Sequence, residues 1–258
     1  VDIIGGVRGE PLNLVKCETN DLLVPATAEI VIEGEVPPYE RAEEGPFGEY
    51  PGYQTSGRSP KPVYHIKAIT HRKNPILTAS NMGMPIDDSH VAMSISVASD
   101  VRSDLLRSGL PITGIYIPPE SCLFSIVVST KTPYSGIANR IASCIWANKN
   151  GGLFLTKVIV VESDVDPTDI RQVLHAFSTV NHPIRGTNTL SNTTGHILVP
   201  YLSEHDRTYG IGSHVVYDCT WPKDWRKEDV PKKASFKNIY PKEIQDRVLN
   251  NWKDYGFK

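Results

Sequence analysis

Over residues 1 to about 72 the chain carries short apolar or alternating runs, LNLVKC, AEIVIEG and VYHIKAIT, broken by Pro, Gly and acidic turns, the pattern of a β-rich piece. The period then changes. DDSHVAMSISVASDVRSDLLRSG sets an Asp/Ser cluster ahead of apolar residues at helical spacing and closes on Gly109, which predicts a long helix over 88–108. ITGIYIPP and CLFSIVVSTK predict strands, YSGIANRIASCIWANKNGG a helix, LFLTKVIVVESD a strand, DPTDIRQVLHAFSTV a helix and HILVPYL a strand. Strands and helices that alternate with short connections argue an α/β sandwich over roughly 74–205. Residues 206–240 are polar, aromatic and proline-bearing, and YPKEIQDRVLNNWKDYGFK predicts a last amphipathic helix with Ile244, Val248, Leu249 and Trp252 on one face. The expected class is α/β (α+β overall), divided as 1–73, 74–240 and a terminal helix at 241–258.

Composition narrows the functional classes. The chain has 258 residues, 40% of them hydrophobic and 22% charged, enough for one large domain or two small ones. A formal net charge of −2 leaves no basic footprint for nucleic acid and no cationic stripe for an anionic membrane, so neither partner is expected. No apolar run approaches the roughly 20 residues that span a bilayer, and a cytoplasmic location is the simplest inference. Cys17, Cys122, Cys144 and Cys219 stand far apart without zinc-site spacing and read as reduced thiols. The opening VDIIGGVRGEP, with Val1 where a methionine is usual, reads as the interior of a longer chain.

Candidate chemistry concentrates in EEGPFGEYPGYQ, residues 43–54, where Gly and Pro predict a shaped loop and Glu44 and Glu49 bracket a Gly-Pro-Phe-Gly turn. Two carboxylates on a constrained loop can divide acid and base work when burial favours the neutral form of one and a cation the ionised form of the other. The same pattern also describes ordinary solvated acids, or a hydrolase pair. Eight histidines include no HExxH pair, and His196, beside ILVPYL, is the one placed to line a pocket. GGVRGEP at 5–11 matches no phosphate-binding pattern and reads as a turn; NKNGG at 148–152 reads as a glycine helix stop.

The words LVKCETNDLLVPATAEIVIEG and EEGPFGEYPGY, followed by VVESDVDPTDIRQVLHAFST and RVLNNWKDYGF, resemble the UbiD family of decarboxylases along nearly the whole chain. The resemblance implies the end of a split β-barrel flavin-binding domain, then an α/β domain that mediates dimerisation into a homodimer or higher homo-oligomer. It implies reversible, non-oxidative decarboxylation of an aromatic, heteroaromatic or α,β-unsaturated acid, using prenylated FMN with Mn2+ (or Mg2+) and K+. On this likeness Glu49 matches the family's proton donor and Glu44 its partner in a Glu-Arg-Glu network. Ser89, Met93, His196 and Leu198 match positions near the substrate, and Lys149 falls near the cofactor phosphate. Ferulate-type members carry an aromatic apolar residue where His196 stands, which implies a substrate ring bearing a hydroxyl or a nitrogen. The family's catalytic arginine and metal ligands lie upstream of Val1, so the likeness implies that this chain works with a missing N-terminal part. The alternative is a non-catalytic dimerisation fragment.

Overall fold

The computed structural model describes residues 1–131 and 133–256. Their contacts cluster into two compact units: Val1–Val97, Ile117–Phe124 and Ser191–Ser213 form the first, and Ala98–Tyr116, Ser125–Leu190 and the residues from His214 onward the second. The units are discontinuous in sequence because ladders and loop closures join remote segments, whereas the sequence reading divides the chain linearly at 73 and 240.

The first unit opens with α1 (Asp2–Arg8), where a turn is expected from the sequence. Asp2 in its first turn and Arg8 in its last complement the helix dipole, and Gly9 ends it in the left-handed conformation. The β-rich expectation holds as three antiparallel pairs: β1 (Leu14–Lys16) with β2 (Leu23–Pro25), β3 (Ile30–Glu35) with β6 (His65–His71), and β4 (Arg41–Glu44) with β5 (Ser59–Pro62). Glu33 on β3 is buried yet satisfied, accepting from Thr19 Oγ1 (2.6 Å) and from the Glu18 and Thr19 amides (2.9 and 2.8 Å). The Thr19 hydroxyl and those two amides hold its carboxyl below the usual range against the opposing effect of burial. Glu33 therefore fixes the turn between β1 and β2 and is not a free acid.

Helix α2 (Asp88–Arg107) fits the expected span closely. It ends in paired bonds from Gly109 N–H to the Leu106 carbonyl (3.0 Å) and from Leu110 N–H to the Leu105 carbonyl (3.1 Å), a Schellman closure. Residues up to Val97 group with the first unit and the rest with the second.

The second unit is built on a five-stranded sheet of order β10-β11-β9-β8-β7. Its strands are β7 (Ile112–Tyr116), β8 (Ser125–Thr130), β9 (Lys157–Glu162), β10 (Thr187–Thr194) and β11 (Ile211–Cys219). The outer residues Ser191–Thr194 of β10 and Ile211–Ser213 of β11 group with the first unit. Strand β9 runs parallel to both β8 and β11, and β7 is antiparallel to β8. Continuous apolar runs suit such central strands, which are covered on both faces, and Ile126, Val128, Val158 and Val160 are all fully buried. Helix α3 (Ile137–Ala147) buries Ile137, Ala138, Ile141, Ala142 and Ile145. Helix α5 (Ile170–Thr179), capped by the Asp169 carboxylate, lays Val173 and Ala176 against Val127, Val161, Val165 and Cys219.

Three expectations are corrected. The glycines of NKNGG do not stop a helix: α3 ends before them at Asn148, whose side chain accepts the Asn150 and Gly151 amides and starts α4 (Lys149–Phe154). A Cβ on Gly151 would lie 2.0 Å from the Ile145 carbonyl oxygen, so that glycine serves the close approach of α4 to α3 rather than a stop. The strand expected to follow is consequently delayed to Lys157. HILVPYL is no strand, because turn bonds from Val199 N–H to the His196 carbonyl (3.0 Å) and from Leu202 N–H to the Val199 carbonyl (3.3 Å) fold it, and Pro200 offers no donor. The strands there are instead β10 and β11, with the capped helix α6 (Glu204–Tyr209) between them.

The tail carries α7 (Phe236–Ile239) and α8 (Lys242–Asn250). On the expected apolar face Ile244 and Val248 are half-buried, while Leu249 and Trp252 are 56% and 42% exposed. The last two positions of the expected 241–258 helix lie outside the described residues. The cysteines are free, and Cys17, Cys122 and Cys219 are buried. No helix among the described residues is long and apolar enough to cross a membrane.

His214 on β11 gives the second unit a pH dependence. Its ring is buried and stacks on Trp146 at 5.1 Å and 14°. Its Nε2 has no partner among the described residues, and the ring bonds the Gly152 backbone. Burial pulls the imidazole below its ordinary value, and the Gly152 contact offsets this only in part. The unfolded chain therefore takes up a proton first as pH falls. Stability from this group is fully present above about 6.5 and declines as pH drops towards the folded value. A urea midpoint that falls between about pH 7.5 and about pH 5.5, with a flatter profile in His214→Phe, is the expected result; identical profiles in the two proteins contradict it.

Candidate functional site

The loop that carries Glu49 is built in two parts. Glu43 and Glu44 end β4, so the first two residues of the expected loop are strand, and Glu44 is exposed, its carboxylate taking no hydrogen bond or ion pair among the described residues. Beyond the Gly-Pro-Phe-Gly turn the backbone tightens around Glu49: its N–H donates to the Tyr53 carbonyl (3.1 Å), and its carbonyl accepts the Gly52 N–H (2.8 Å). Gly52 sits at φ +82°, and a Cβ there would lie 2.9 Å from Met84 Sδ. Only glycine suits that position. Glu49 is half-buried, and its carboxylate has no hydrogen bond or ion pair among the described residues.

Tyr50 anchors this turn. It is 7% exposed, with ring centroids 6.3 Å from His90, 6.0 Å from Phe124 and 6.1 Å from His196. Its hydroxyl is buried without a partner among the described residues, and burial raises its pKa well above the ordinary phenol range, with the Cys122 and Glu49 charges adding to the effect. His90 is 1% exposed, and its Nε2 lies 2.6 Å from the Tyr50 carbonyl oxygen.

Asp87 caps α2, its Oδ1 accepting the amides of Ser89 (2.8 Å) and His90 (3.2 Å). Burial opposes its ionisation, but the His90 amide and imidazole and the Ser89 amide prevail and hold the carboxyl below its usual range. Its Oδ2 is buried without a partner among the described residues, as is Ser94 Oγ one turn beyond His90. Cys122 is pushed up by burial and by the Asp87 charge, which makes it an inert thiol rather than a nucleophile.

Among the sequence-derived candidates, Ser89 and Met93 lie one turn apart on α2, both half-buried, and Ser89 Oγ lies 3.2 Å from Ser80 Oγ. His196 and Leu198 share the turn that replaces the expected strand, where His196 Nδ1 accepts the Leu198 amide (3.2 Å). Burial lowers the His196 pKa and so favours the neutral ring, in which Nδ1 accepts and the proton sits on Nε2. The structure thus brings Glu49, through Tyr50, together with Ser89's helix and with His196. Glu44 and Glu49 take no bond in common, and Lys149 is an exposed residue of the second unit. No group of three His, Cys, Asp or Glu side chains that could hold a metal exists among the described residues.

Tyr50, Asp87, His90, Cys122 and Phe124 are members of this cluster that the sequence reading does not single out. The Asp/Ser cap cluster was the available signal for Asp87. The partner of His90 is a backbone carbonyl, which every residue possesses, so sequence holds no trace of it.

The fold around this cluster is that of the UbiD-class decarboxylases. Over 98% of its length the chain superposes with a TM-score of 0.77 and 28% identity on 51% of the vanillic acid decarboxylase of Sedimentibacter hydroxybenzoicus in its closed form. The UbiD-class enzyme HmfF of Pelotomaculum thermopropionicum in complex with FMN matches 88% of this chain and 49% of its own with a TM-score of 0.74 and 27% identity. Residues 1–85 match the 3-octaprenyl-4-hydroxybenzoate carboxy-lyase Rift-related domain, and residues 92–219 match the C-terminal domain of the same lyase. The chain belongs to the UbiD family. It is 32% identical to the pyrrole-2-carboxylic acid decarboxylase of Pseudomonas aeruginosa, over 98% of this chain and 53% of that protein. It is 31% identical to ferulic acid decarboxylase 1 of Saccharomyces cerevisiae, over 100% of this chain and 53% of that protein. The chain therefore spans about half the length of the curated relatives it matches.

Proposed function

We propose that this chain supplies the proton-delivery side of a decarboxylase that removes CO2, reversibly and without net oxidation, from an aromatic, heteroaromatic or α,β-unsaturated carboxylic acid. The observation that carries this reading is Glu49: a half-buried carboxylate without a bonded partner, on a backbone whose amide and carbonyl are both fixed, next to an aromatic anchor. A carboxyl group left free while its backbone is held is suited to hand a proton to a reacting carbon and to retrieve one in reverse.

Prenylated FMN is the cofactor this reading takes, and when bound it supplies the electron sink for the pair released as CO2 departs. The rings of Tyr50 and His196, 6.1 Å apart, are the aromatic groups beside Glu49 against which a flat group would lie, whereas the hydroxyls of Tyr50 and Ser94 are sealed in the interior and offer it no contact. Glu49 protonates the carbon that carried the carboxylate, and Glu44 is its partner acid. Ser89, Met93, His196 and Leu198 orient the ring and exclude water; a phosphate contact at Lys149, a residue of the second unit, rests on the family likeness alone. Mn2+ (or Mg2+) does not fit the described residues, which hold no ligand cluster. These ions belong with the part of the relatives' length that this chain does not span. The isolated chain is therefore expected to be inactive, and the complete enzyme to be a homodimer or larger homo-oligomer, for which the exposed Leu249 and Trp252 on the tail offer apolar surface. Family membership displaces the hydrolase alternative.

The test compares the complete enzyme, produced together with a flavin prenyltransferase, with the 258-residue chain. Release of CO2 from hydroxybenzoates, azole carboxylates or cinnamates is expected only from the former, with flavin absorbance retained. A flavin-loaded complete enzyme inert towards all three acid classes rejects the reading.

A further inference from the structure

The rigidity of the Glu49 turn has a source outside the turn. A carbonyl oxygen can only accept, so the 2.6 Å contact between His90 Nε2 and the Tyr50 carbonyl requires the proton to sit on Nε2. The ring is prevented from rotating at its other nitrogen: Nδ1 lies 3.1 Å from the Asp87 amide, which donates to it in the neutral imidazole, and 3.0 Å from Asp87 Oδ1, which accepts from it in the charged one. In either state Nε2 keeps its proton aimed at Tyr50. Asp87 is itself immobilised, because the same Oδ1 caps the first turn of α2 through the Ser89 and His90 amides. A chain of contacts therefore runs from the start of a 20-residue helix, through a fully buried ring, to the Tyr50–Pro51 peptide, one residue beyond Glu49. Nothing in helix capping requires that last contact, since a cap is complete with the two amides alone.

We propose that His90 is a positioning residue for Glu49: it clamps the Tyr50 carbonyl so that the acid is held at one height and angle relative to the substrate bound beside α2. The inference rests on the reading of Glu49 as proton donor. It assigns to His90 no contact with the substrate. Loss of the clamp leaves Glu49 chemically intact but displaced, and misplacement by about 1 Å costs on the order of 100-fold in rate. Substrate binding, which Glu49 does not provide, should be spared.

The test uses two polar replacements that differ in reach, in the complete flavin-loaded enzyme. Glutamine sets its amide near the position of Nε2, and asparagine falls short. His90→Asn is expected to lower kcat by about 10- to 100-fold with KM within about twofold, and His90→Gln to recover to within about threefold of wild type. Hydrogen exchange at the Glu49 and Gly52 amides, read by mass spectrometry of the 45–54 segment, is expected to quicken about tenfold in the asparagine variant and not in the glutamine one. Equal kcat in the two variants, or unchanged exchange in both, overturns the proposal. Should neither variant fold, wild-type enzyme with isotope-labelled histidine decides: an Nε2 proton of His90 that resists solvent exchange supports the clamp, and one that exchanges freely overturns it. A Glu49→Gln enzyme with normal turnover removes the proton-donor reading itself, while the exchange data still report whether His90 holds the turn.

Discussion

Replacing Glu49 by glutamine in the complete, flavin-loaded enzyme is expected to lower kcat by about 100- to 10,000-fold, the range over which a positioned general acid acts. Glutamine keeps the length and shape of the side chain and can accept or donate hydrogen bonds, but it has no acidic proton to transfer. The turn should survive, because its bonds are made by the Glu49 amide and carbonyl and by the backbone of Gly52 and Tyr53. The side chain takes no hydrogen bond or ion pair among the described residues, so no structural partner is lost with the charge. Flavin absorbance and KM should therefore stay near wild type while CO2 release collapses, the split expected when an interaction made only in the transition state is removed. A variant that turns over at the wild-type rate removes Glu49 from the mechanism.

How far such a site can be read from sequence depends on which atoms do the work. The long apolar runs IVVS and VIVV announce buried central strands, and the helical periods of α2 and α5 match side chains that pack. In those elements the side chains decide the structure. The failures fall where backbone decides it. Strand β10, TNTLSNTT, is polar because it is an exposed edge, and no alternation of apolar residues betrays it. HILVPYL has the composition of a strand, but Pro200 and the turn bonds to the His196 and Val199 carbonyls override propensity. The glycines of NKNGG lie inside a helix because a neighbouring carbonyl leaves no room for a Cβ, a constraint that only the packed structure reveals.

The candidate site divides in the same way. Glu49, Ser89, Met93 and His196 are nameable as candidates because a family likeness carries side-chain identities from one chain to another. Tyr50 and His90 are not, since their link runs from a ring to a peptide carbonyl 40 residues away in sequence. Lys149 shows the opposite limit. A basic residue at a suitable place in the sequence word stands exposed at the first turn of a six-residue helix in the second unit, and its role rests on the likeness alone.

His196→Phe is expected to move substrate preference from rings that carry a nitrogen or a hydroxyl towards plain cinnamic acids. In the native chain the His196 ring is half-buried and edge-on to Tyr50 at 69°, and burial favours its neutral form. Phenylalanine can take the same edge-on contact with Tyr50, so the pocket wall should be kept while its polar atoms are lost. A ring N–H or hydroxyl that was paired at His196 would then be buried without a partner, at a cost of about 1 to 3 kcal/mol, or about 5- to 150-fold in relative kcat/KM. A plain phenyl ring loses nothing and gains apolar contact. The measurement is the ratio of kcat/KM for an azole carboxylate or a hydroxybenzoate over that for cinnamate, in wild type and variant under the same conditions. A fall of that ratio by the stated factor, with cinnamate turnover kept or raised, is the expected outcome. An unchanged ratio places His196 out of contact with the substrate, and the identity of the acid is then decided by Ser89 and Met93 on α2.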